Sequence, residues 1–532
     1  MKYLNKFLLL VGIGLAVFIF MIIIRDVYAF GVDDSYIFFR YAENLSNGHG
    51  LVFNPGETPG EGFTSWVWLL LLAFFHYIGV ELILTAKILG IIFHFLAAFF
   101  LALLVVKVLD TVGDASAKVT ALILSGCFLL NYRLIAHSVS GMETSLYVFS
   151  LVLLAYLTTR ALQAPSSPGE GGERWWLYIS IAALGTFLVR PEGIAAGGIS
   201  LLALAVHRRK KFLAPKTWFY VFIGLVAPLV LFVTWKIFVF GYSLPHSFYH
   251  KLIVIETEYG ESLRQLLLFF KSSWWLIAAA VPITLYAAIK HKKHLFLYYL
   301  FLFIFMTAVY LVFYPAMNYL HRFYIPYLPL LLVMISPGIY FLVKKMEYFK
   351  NDPVRIFFSF LLFFILALGM NTNIGVSRFK VKSWSKLVDP GISRARLGVL
   401  MSRLPPDVVV ANTEMGVIPF YSGLTCIDMA GLTDPYTAHH GISMGYLKKR
   451  KTDLVLFSRD VKKMAPGDWN KYTQPYGNVF LSKEFKNNFA FIGRHSNYYL
   501  YADKTSPKYR TIKEWGKKYL DMKHWKAKMK LR

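Results

Sequence analysis

Apolar stretches of membrane-spanning character, separated by short polar breaks, fill the chain up to Met370. Two cations, Lys2 and Lys6, precede an unbroken apolar run from Phe7 to Ile24, and no small-residue cleavage site follows, which predicts an uncleaved first span. Further apolar runs lie at Ile88–Val106, Val119–Leu130, Leu146–Leu157, Trp176–Val189, Ile194–Val206, Trp218–Phe240, Trp274–Ile289, Leu295–Phe313, Phe323–Val343 and Ile356–Leu368, eleven in all with the first. Several fall short of the roughly 20 residues a span needs, so their ends must reach into flanking polar residues.

The breaks carry the orientation. The basic loops His207–Lys211, Lys290–Lys293 and Lys344–Lys350 are expected on the cytoplasmic side. Counting back from them places Arg190–Gly193, Ser140–Thr144 and the loop that begins at Asp33 and Asp34 outside. The count closes only if Thr64–Ile78 does not cross. That segment is rich in interface-loving aromatics (Trp66, Trp68, Phe74, Phe75, Tyr77), which predicts a helix lying on the outer surface. In the competing solution it crosses, and Trp176–Val206 merges into one proline-kinked helix. From Asn371 the pattern changes: Asp407–Asn412, Thr425–Met429, Asp453–Phe457 and Asn497–Tyr501 read as short strands and Thr413–Tyr421 as the start of a helix, an α/β domain after an odd number of spans and hence outside. The expected division is 1–372, a membrane domain with a first outer loop at 27–84, and 373–532, an extracytoplasmic domain.

Composition agrees with this class. Of 532 residues, 56% are hydrophobic and 17% aromatic, too apolar for a soluble globular protein. The net charge of +27 sits largely in short loops between spans, where it reports orientation and not nucleic-acid binding. Asp503–Arg532 adds a polybasic tail suited to anionic lipid or an acidic glycan. Cys127 and Cys426 form no disulfide framework and no zinc spacing, and no Walker loop is present. Ala164–Gly172 reads as a flexible linker.

The chemistry-bearing residues outside the basic loops all fall on one side of this topology. They are Asp33, Asp34, Arg40, His49 and Glu57; Arg133, His137 and Glu143; Arg190 and Glu192; His246, His250 and Lys251; and His321 with Arg322. Carboxylates beside hydrocarbon are expensive and are kept for chemistry or for a partner charge. Together with cations they suit an anionic lipid-linked substrate. A departing phosphate is already stable as an anion, so one base suffices: Asp33 or Asp34 takes the acceptor proton while cations hold the phosphate. Glycoside hydrolysis needs two acids set around one bond, which adjacent aspartates do not guarantee. Two acids can hold a divalent cation, but a lone Asp-Asp pair is weak support for one. A transporter or flippase of a lipid-linked sugar is the rival reading, and it requires charges near the bilayer midplane.

The run from Asp33 through Tyr36, Arg40-Tyr41-Ala42, Asn44-Leu45, Gly48–Gly56 and Glu61-Gly62 resembles the first outer loop of the GT-C glycosyltransferases related to mycobacterial terminal arabinofuranosyltransferases. The resemblance continues at Ser140–Thr144, Arg190–Gly193, Gly241–Lys251, His321–Pro329 and Tyr421–Pro435. It implies a GT-C membrane fold, a polyprenyl-phosphate sugar donor, often decaprenyl-phosphate arabinofuranose, inversion at the anomeric carbon, an extracytoplasmic glycan, lipid-linked or protein acceptor, and a bacterial inner-membrane location. Asp33 and Asp34 are then the candidate catalytic pair. Arg40, Tyr41, His49, Glu143, Arg190, Glu192, His246, Lys251, His321 and Arg322 are the candidate donor contacts. His246 stands where the family has Asn.

Overall fold

The computed structural model describes residues 2–109, 114–164, 173–246, 248–249, 259–290, 293–312, 317–349, 352–458, 479 and 481–521. Helices α1 (Lys2–Val27), α4 (Leu82–Leu109), α5 (Ala115–Leu129), α7 (Thr144–Gln163), α8 (Arg174–Val189), α9 (Gly193–His207), α10 (Pro215–Phe240), α11 (Tyr259–Lys290), α12 (Lys293–Val312), α13 (Leu328–Met346) and α14 (Asp352–Met370) correspond one to one with the eleven apolar runs. Among the described residues eight are long and apolar enough to cross a membrane, and α5 with the short α6 (Tyr132–Ser138), bent by 62°, makes a ninth. The helices α8 and α9, of 16 and 15 residues, are shorter. They nevertheless run antiparallel between the same two ends as α7: Arg190 at their turn meets Glu143 at the start of α7, and Arg208 at the far end of α9 donates to the Ala161 carbonyl near the end of α7 (2.8 Å).

One end of the bundle gathers the basic loops. There Lys344 approaches Asp114 (3.6 Å), Tyr340 donates to Asp114 (2.6 Å), and His207 faces His294. The opposite end carries α2 (Asp33–Ser46), α3 (Trp66–Tyr77) and the C-terminal domain. Both ends of α3 stay there: Trp66 packs on Trp235 and Phe240 near the close of α10, Trp68 donates to the Gly141 carbonyl (3.1 Å), and a turn at Gly79 leads straight into α4. This 12-residue helix does not traverse the bundle, and it leaves Leu70, Phe74, Tyr77 and Ile78 exposed as an outward apolar stripe. Two helices depart from their sequence expectation. The helix α11 starts well before Trp274 and kinks at Ser273, and α13 begins only at Leu328, after an irregular loop at 317–327.

After α14 the chain turns at Asn371, which receives the Tyr132 amide (2.8 Å), into α15 (Ile374–Val388) and then α16 (Ser393–Met401). Among its described residues the C-terminal domain holds five strands: β1 (Val409–Asn412), β2 (Thr425–Asp428), β3 (Leu454–Ser458), β4 (Phe489–His495) and β5 (Tyr498–Asp503), in the order β2-β1-β3-β5-β4, with β1 parallel to β2 and β3 and the β3, β5, β4 pairs antiparallel. The connecting helices include α17 (Val417–Ser422), α18 (Pro435–His440) and α19 (Met444–Lys449). Four of the strands were legible as apolar runs, whereas β4 was not, because Gly493 and Arg494 interrupt its alternation. One face of the sheet joins the core of the membrane bundle and the other forms a separate small core.

Candidate active site

Asp33 and Asp34 open α2, in the first turn where unpaired backbone N–H groups favour negative charge. Neighbours on a helix point about 100° apart, and here they face different partners. Asp33 is buried: its Oδ1 accepts from the Val417 amide (3.0 Å) and pairs with Arg394 (3.1 Å), which also holds Glu414 (2.8 Å). A Cβ at Gly416 would meet the Asp33 carbonyl oxygen at 2.0 Å, so only glycine lets the C-terminal domain close on α2. Burial, opposed by Arg394 and reinforced by Asp33 and Asp34, pushes the Glu414 carboxyl up to about 7. Asp34 turns the other way. Its side chain is 28% exposed and its Oδ2 meets Arg322 at 3.4 Å.

Behind Asp34 lies a buried charge cluster. Glu143, fully buried just before α7, places Oε1 between Arg322 (3.2 Å) and Arg190 (3.4 Å), while its Oε2 has no hydrogen-bond partner among the described residues. Arg190 pairs with Glu192 (2.7 Å), which also accepts from the Tyr310 hydroxyl (2.5 Å). Both guanidiniums lie over the Phe323 ring, at 4.9 Å and 5.5 Å. Among the described residues the cluster brings together three carboxylates, Asp34, Glu143 and Glu192, and two guanidiniums. A buried ionic network of this kind is a weak device for stability, and the backbone that delivers it is strained as well. Met317, Leu320 and His321 all adopt positive φ (59°, 49° and 60°) immediately before Arg322, at a cost of order 1–3 kcal/mol each. Both features make this cluster the candidate site.

The remaining expected residues divide. Arg40 is not available to a donor: its guanidinium donates to the carbonyls of Phe53 (2.8 Å), Pro419 and Leu424 (2.7 Å) and to Asn54 (3.0 Å), which locks α2 to α17. Tyr41 is core, its hydroxyl accepting from the Gly62 amide (3.2 Å). His49 is exposed beyond the far end of α2, on the order of 20 Å from Asp34 by helix rise. Arg40 is taken up by the docking of the first loop onto the C-terminal domain, Tyr41 by packing within that loop, and His49 by its distance along α2, none of which the sequence shows. His246 is buried, its amide donating to the Glu61 carbonyl (3.1 Å), and burial, with His439 and Lys236 adding, pushes its imidazole down to about 4, so it is neutral at neutral pH and supplies no cation. Lys251 and His250 lie outside the described residues. His321 packs on Phe269, close to His137, Arg133 and Lys380.

Arg133 stands out within this group. Its buried guanidinium donates to Ser272 (2.9 Å), and among the described residues it has no carboxylate within ion-pair distance. Sequence reasoning missed Arg394, Glu414, Tyr310 and Lys236, the last of which pairs with buried Glu61 at 2.7 Å. Only their distant partners reveal them. A divalent cation does not fit the aspartate pair, since Asp33 and Asp34 face apart and each already meets an arginine. Among the described residues no three His, Cys, Asp or Glu side chains gather as a ligand set.

Residues 389–519 match a family model described as a domain of unknown function, DUF8728. No curated protein matches the chain significantly. Among solved structures, the chain resembles ArnT from Cupriavidus metallidurans bound to undecaprenyl phosphate, with a TM-score of 0.58 and 11% identity over 94% of this chain and 98% of that one. It also resembles the oligosaccharyltransferase AglB from Archaeoglobus fulgidus in complex with an inhibitory peptide and a dolichol-phosphate, with a TM-score of 0.54 and 11% identity over 93% and 74%. At that identity the likeness establishes the fold: the chain is a multi-pass membrane protein with the GT-C fold and a C-terminal α/β domain.

Proposed function

We propose that this protein is an inverting membrane glycosyltransferase that moves a sugar from a polyprenyl-phosphate donor to an acceptor outside the cytoplasm, in the bacterial inner membrane. Arabinofuranose is the sugar the first-loop resemblance favours. The observation that carries this reading is Asp34, a partly exposed carboxylate at the edge of the buried Arg322–Glu143–Arg190–Glu192 cluster. The polyprenyl phosphates named in the ArnT and AglB structures support the donor class.

The chemistry follows from the charges. Asp34 accepts the proton of the acceptor hydroxyl as that oxygen bonds to the anomeric carbon, and the bond from that carbon to the phosphate oxygen breaks on the opposite face, which inverts the centre. Positive charge developing on the sugar ring is met by Glu143, a carboxylate fixed in place before the reaction whose Oε2 has no hydrogen-bond partner among the described residues. Arg322 and Arg190 are held by carboxylates, so the departing phosphate is matched best by Arg133, the buried guanidinium without one, with Lys380 nearby; His321, pushed by burial down to about 3, is neutral and offers a hydrogen bond and no charge.

Incubating the purified protein in detergent with decaprenyl-phosphate arabinose, other polyprenyl-phosphate sugars and candidate acceptors tests this directly. Free polyprenyl phosphate and a glycosylated acceptor are expected. A transporter releases no polyprenyl phosphate, so its absence across donors and acceptors would overturn the reading.

A further inference from the structure

A cavity of about 340 Å³ lies on the side of α2 opposite Asp34, walled by Phe30, Phe39, Ile83, Val388 and Tyr421. The helix periodicity separates it from the charge cluster: Ser35, Tyr36 and Phe39 face the cavity while Asp34 faces Arg322. Two cations and one carboxylate stand at this cavity: Lys87 from the first turns of α4, Lys386 from α15, and Asp389 just beyond α15, which accepts the Gly391 amide (2.7 Å). Lys87 donates to the Tyr28 carbonyl and lies over the Tyr28 ring at 4.4 Å. Among the described residues neither lysine has a carboxylate within ion-pair distance.

The helix that roofs the cavity has an interfacial composition. Over Ile374–Val388, α15 carries Arg378, Lys380, Lys382 and Lys386 and no acid, and it leaves Val376 and Phe379 59% and 75% exposed. It follows α14, a membrane-crossing helix, after a three-residue turn. A basic helix with exposed apolar side chains at a membrane exit lies in the headgroup layer, where each lysine near the surface attracts anionic lipid. An apolar cavity opening there beneath two lysines has the chemistry of a lipid site: phosphate on the cations, the first carbons of a chain against Phe30, Phe39 and Ile83.

We infer that this cavity binds an anionic phospholipid of the surrounding bilayer, at a site separate from the sugar donor. Native mass spectrometry of the full-length protein in detergent, titrated with phosphatidylglycerol or phosphatidylcholine, reads it out. Phosphatidylglycerol adducts are expected at least tenfold more abundant than phosphatidylcholine adducts, and the Lys87→Gln/Lys386→Ala variant should lose them about tenfold. Lys87→Gln keeps a donor for the Tyr28 carbonyl, and Lys386→Ala alone changes an exposed side chain, so a partial loss in that single variant covers a misfolded double variant. Asp34→Asn should bind phosphatidylglycerol as the wild type does, which separates this site from the proposed catalysis. Equal retention of the two lipids, or adducts unchanged in both variants, overturns the inference. Inorganic phosphate displacing the lipid at low millimolar concentration would assign the site to a free anion, and displacement by polyprenyl phosphate would make it a donor entrance.

Discussion

Two adjacent aspartates do opposite jobs because one helical step turns the second away from the first. Asp33 fastens α2 to the Val417 amide and Arg394; Asp34 meets Arg322 at the rim of the charge cluster. Asp34→Asn should therefore abolish transfer, by about 10²–10⁴-fold for loss of a positioned base, with an unchanged melting temperature. Asp33→Asn should instead lower the melting temperature, since it weakens one partner of a buried charge pair. Full transfer rates in both variants would remove the base role. Arg133→Gln keeps a donor for Ser272 but removes the charge. It should weaken donor binding by about 1.5–3 kcal/mol, or roughly 10- to 150-fold, while unaltered donor affinity would place the phosphate elsewhere. The pair itself was legible in the sequence as costly charge beside hydrocarbon, but the choice between its members was not. It depends on Gly416 and Arg394, which lie more than 350 residues along the chain from Asp33.

At the scale of elements, the first loop is an adhesive between α2 and the C-terminal domain. Asn54 accepts the Cys426 amide and donates to its carbonyl (3.0 and 2.9 Å), Glu57 pairs with Arg450, and Gly62 sits against Leu432 and Thr433. The stretch Cys426–Asp434 is built for that contact: Asp428 accepts the amides of Ala430, Leu432 and Thr433 at 2.6–2.7 Å, and Asp434 caps α18. Motif residues that invite a catalytic reading, Arg40 among them, thus shape the interface that holds the site. The same interface carries a pH signature. The Glu414 carboxyl has an ordinary value of 4.5 and is pushed up to about 7 in the fold, so between those values the folded chain binds more protons than the unfolded chain. Its contribution to stability is largest at low pH and declines as pH rises through this window. Glu414→Gln should flatten the melting temperature against pH between 4.5 and 7, and an unaltered slope would assign the dependence to another group.

Across the whole molecule, the candidate site and the basic loops between spans lie at opposite ends. The Asp34 cluster, α3 and the C-terminal domain share one end, and the loops rich in lysine and arginine share the other. The alternation of apolar runs made this polarity readable, because a helix that enters at one end must leave at the other, and the short helices α8 and α9 obey it despite their length. The loop contacts that define the site were unreadable for the same reason: hydropathy fixes which end a loop occupies and says nothing of what it touches there. The positive-inside rule predicts that the basic end faces the cytoplasm, and the chain offers a clean way to check it. Both native cysteines, Cys127 and Cys426, are buried, so a single introduced cysteine will react against a quiet background. His49→Cys lies in an exposed part of the first loop, and Tyr348→Cys replaces a side chain 82% exposed at the basic end. In intact cells a membrane-impermeant maleimide should label His49→Cys immediately and Tyr348→Cys only after the membrane is permeabilised. The reverse order would turn the molecule over and put the proposed transfer on the cytoplasmic side; labelling of both from outside would show that the two ends do not lie on opposite faces of the bilayer.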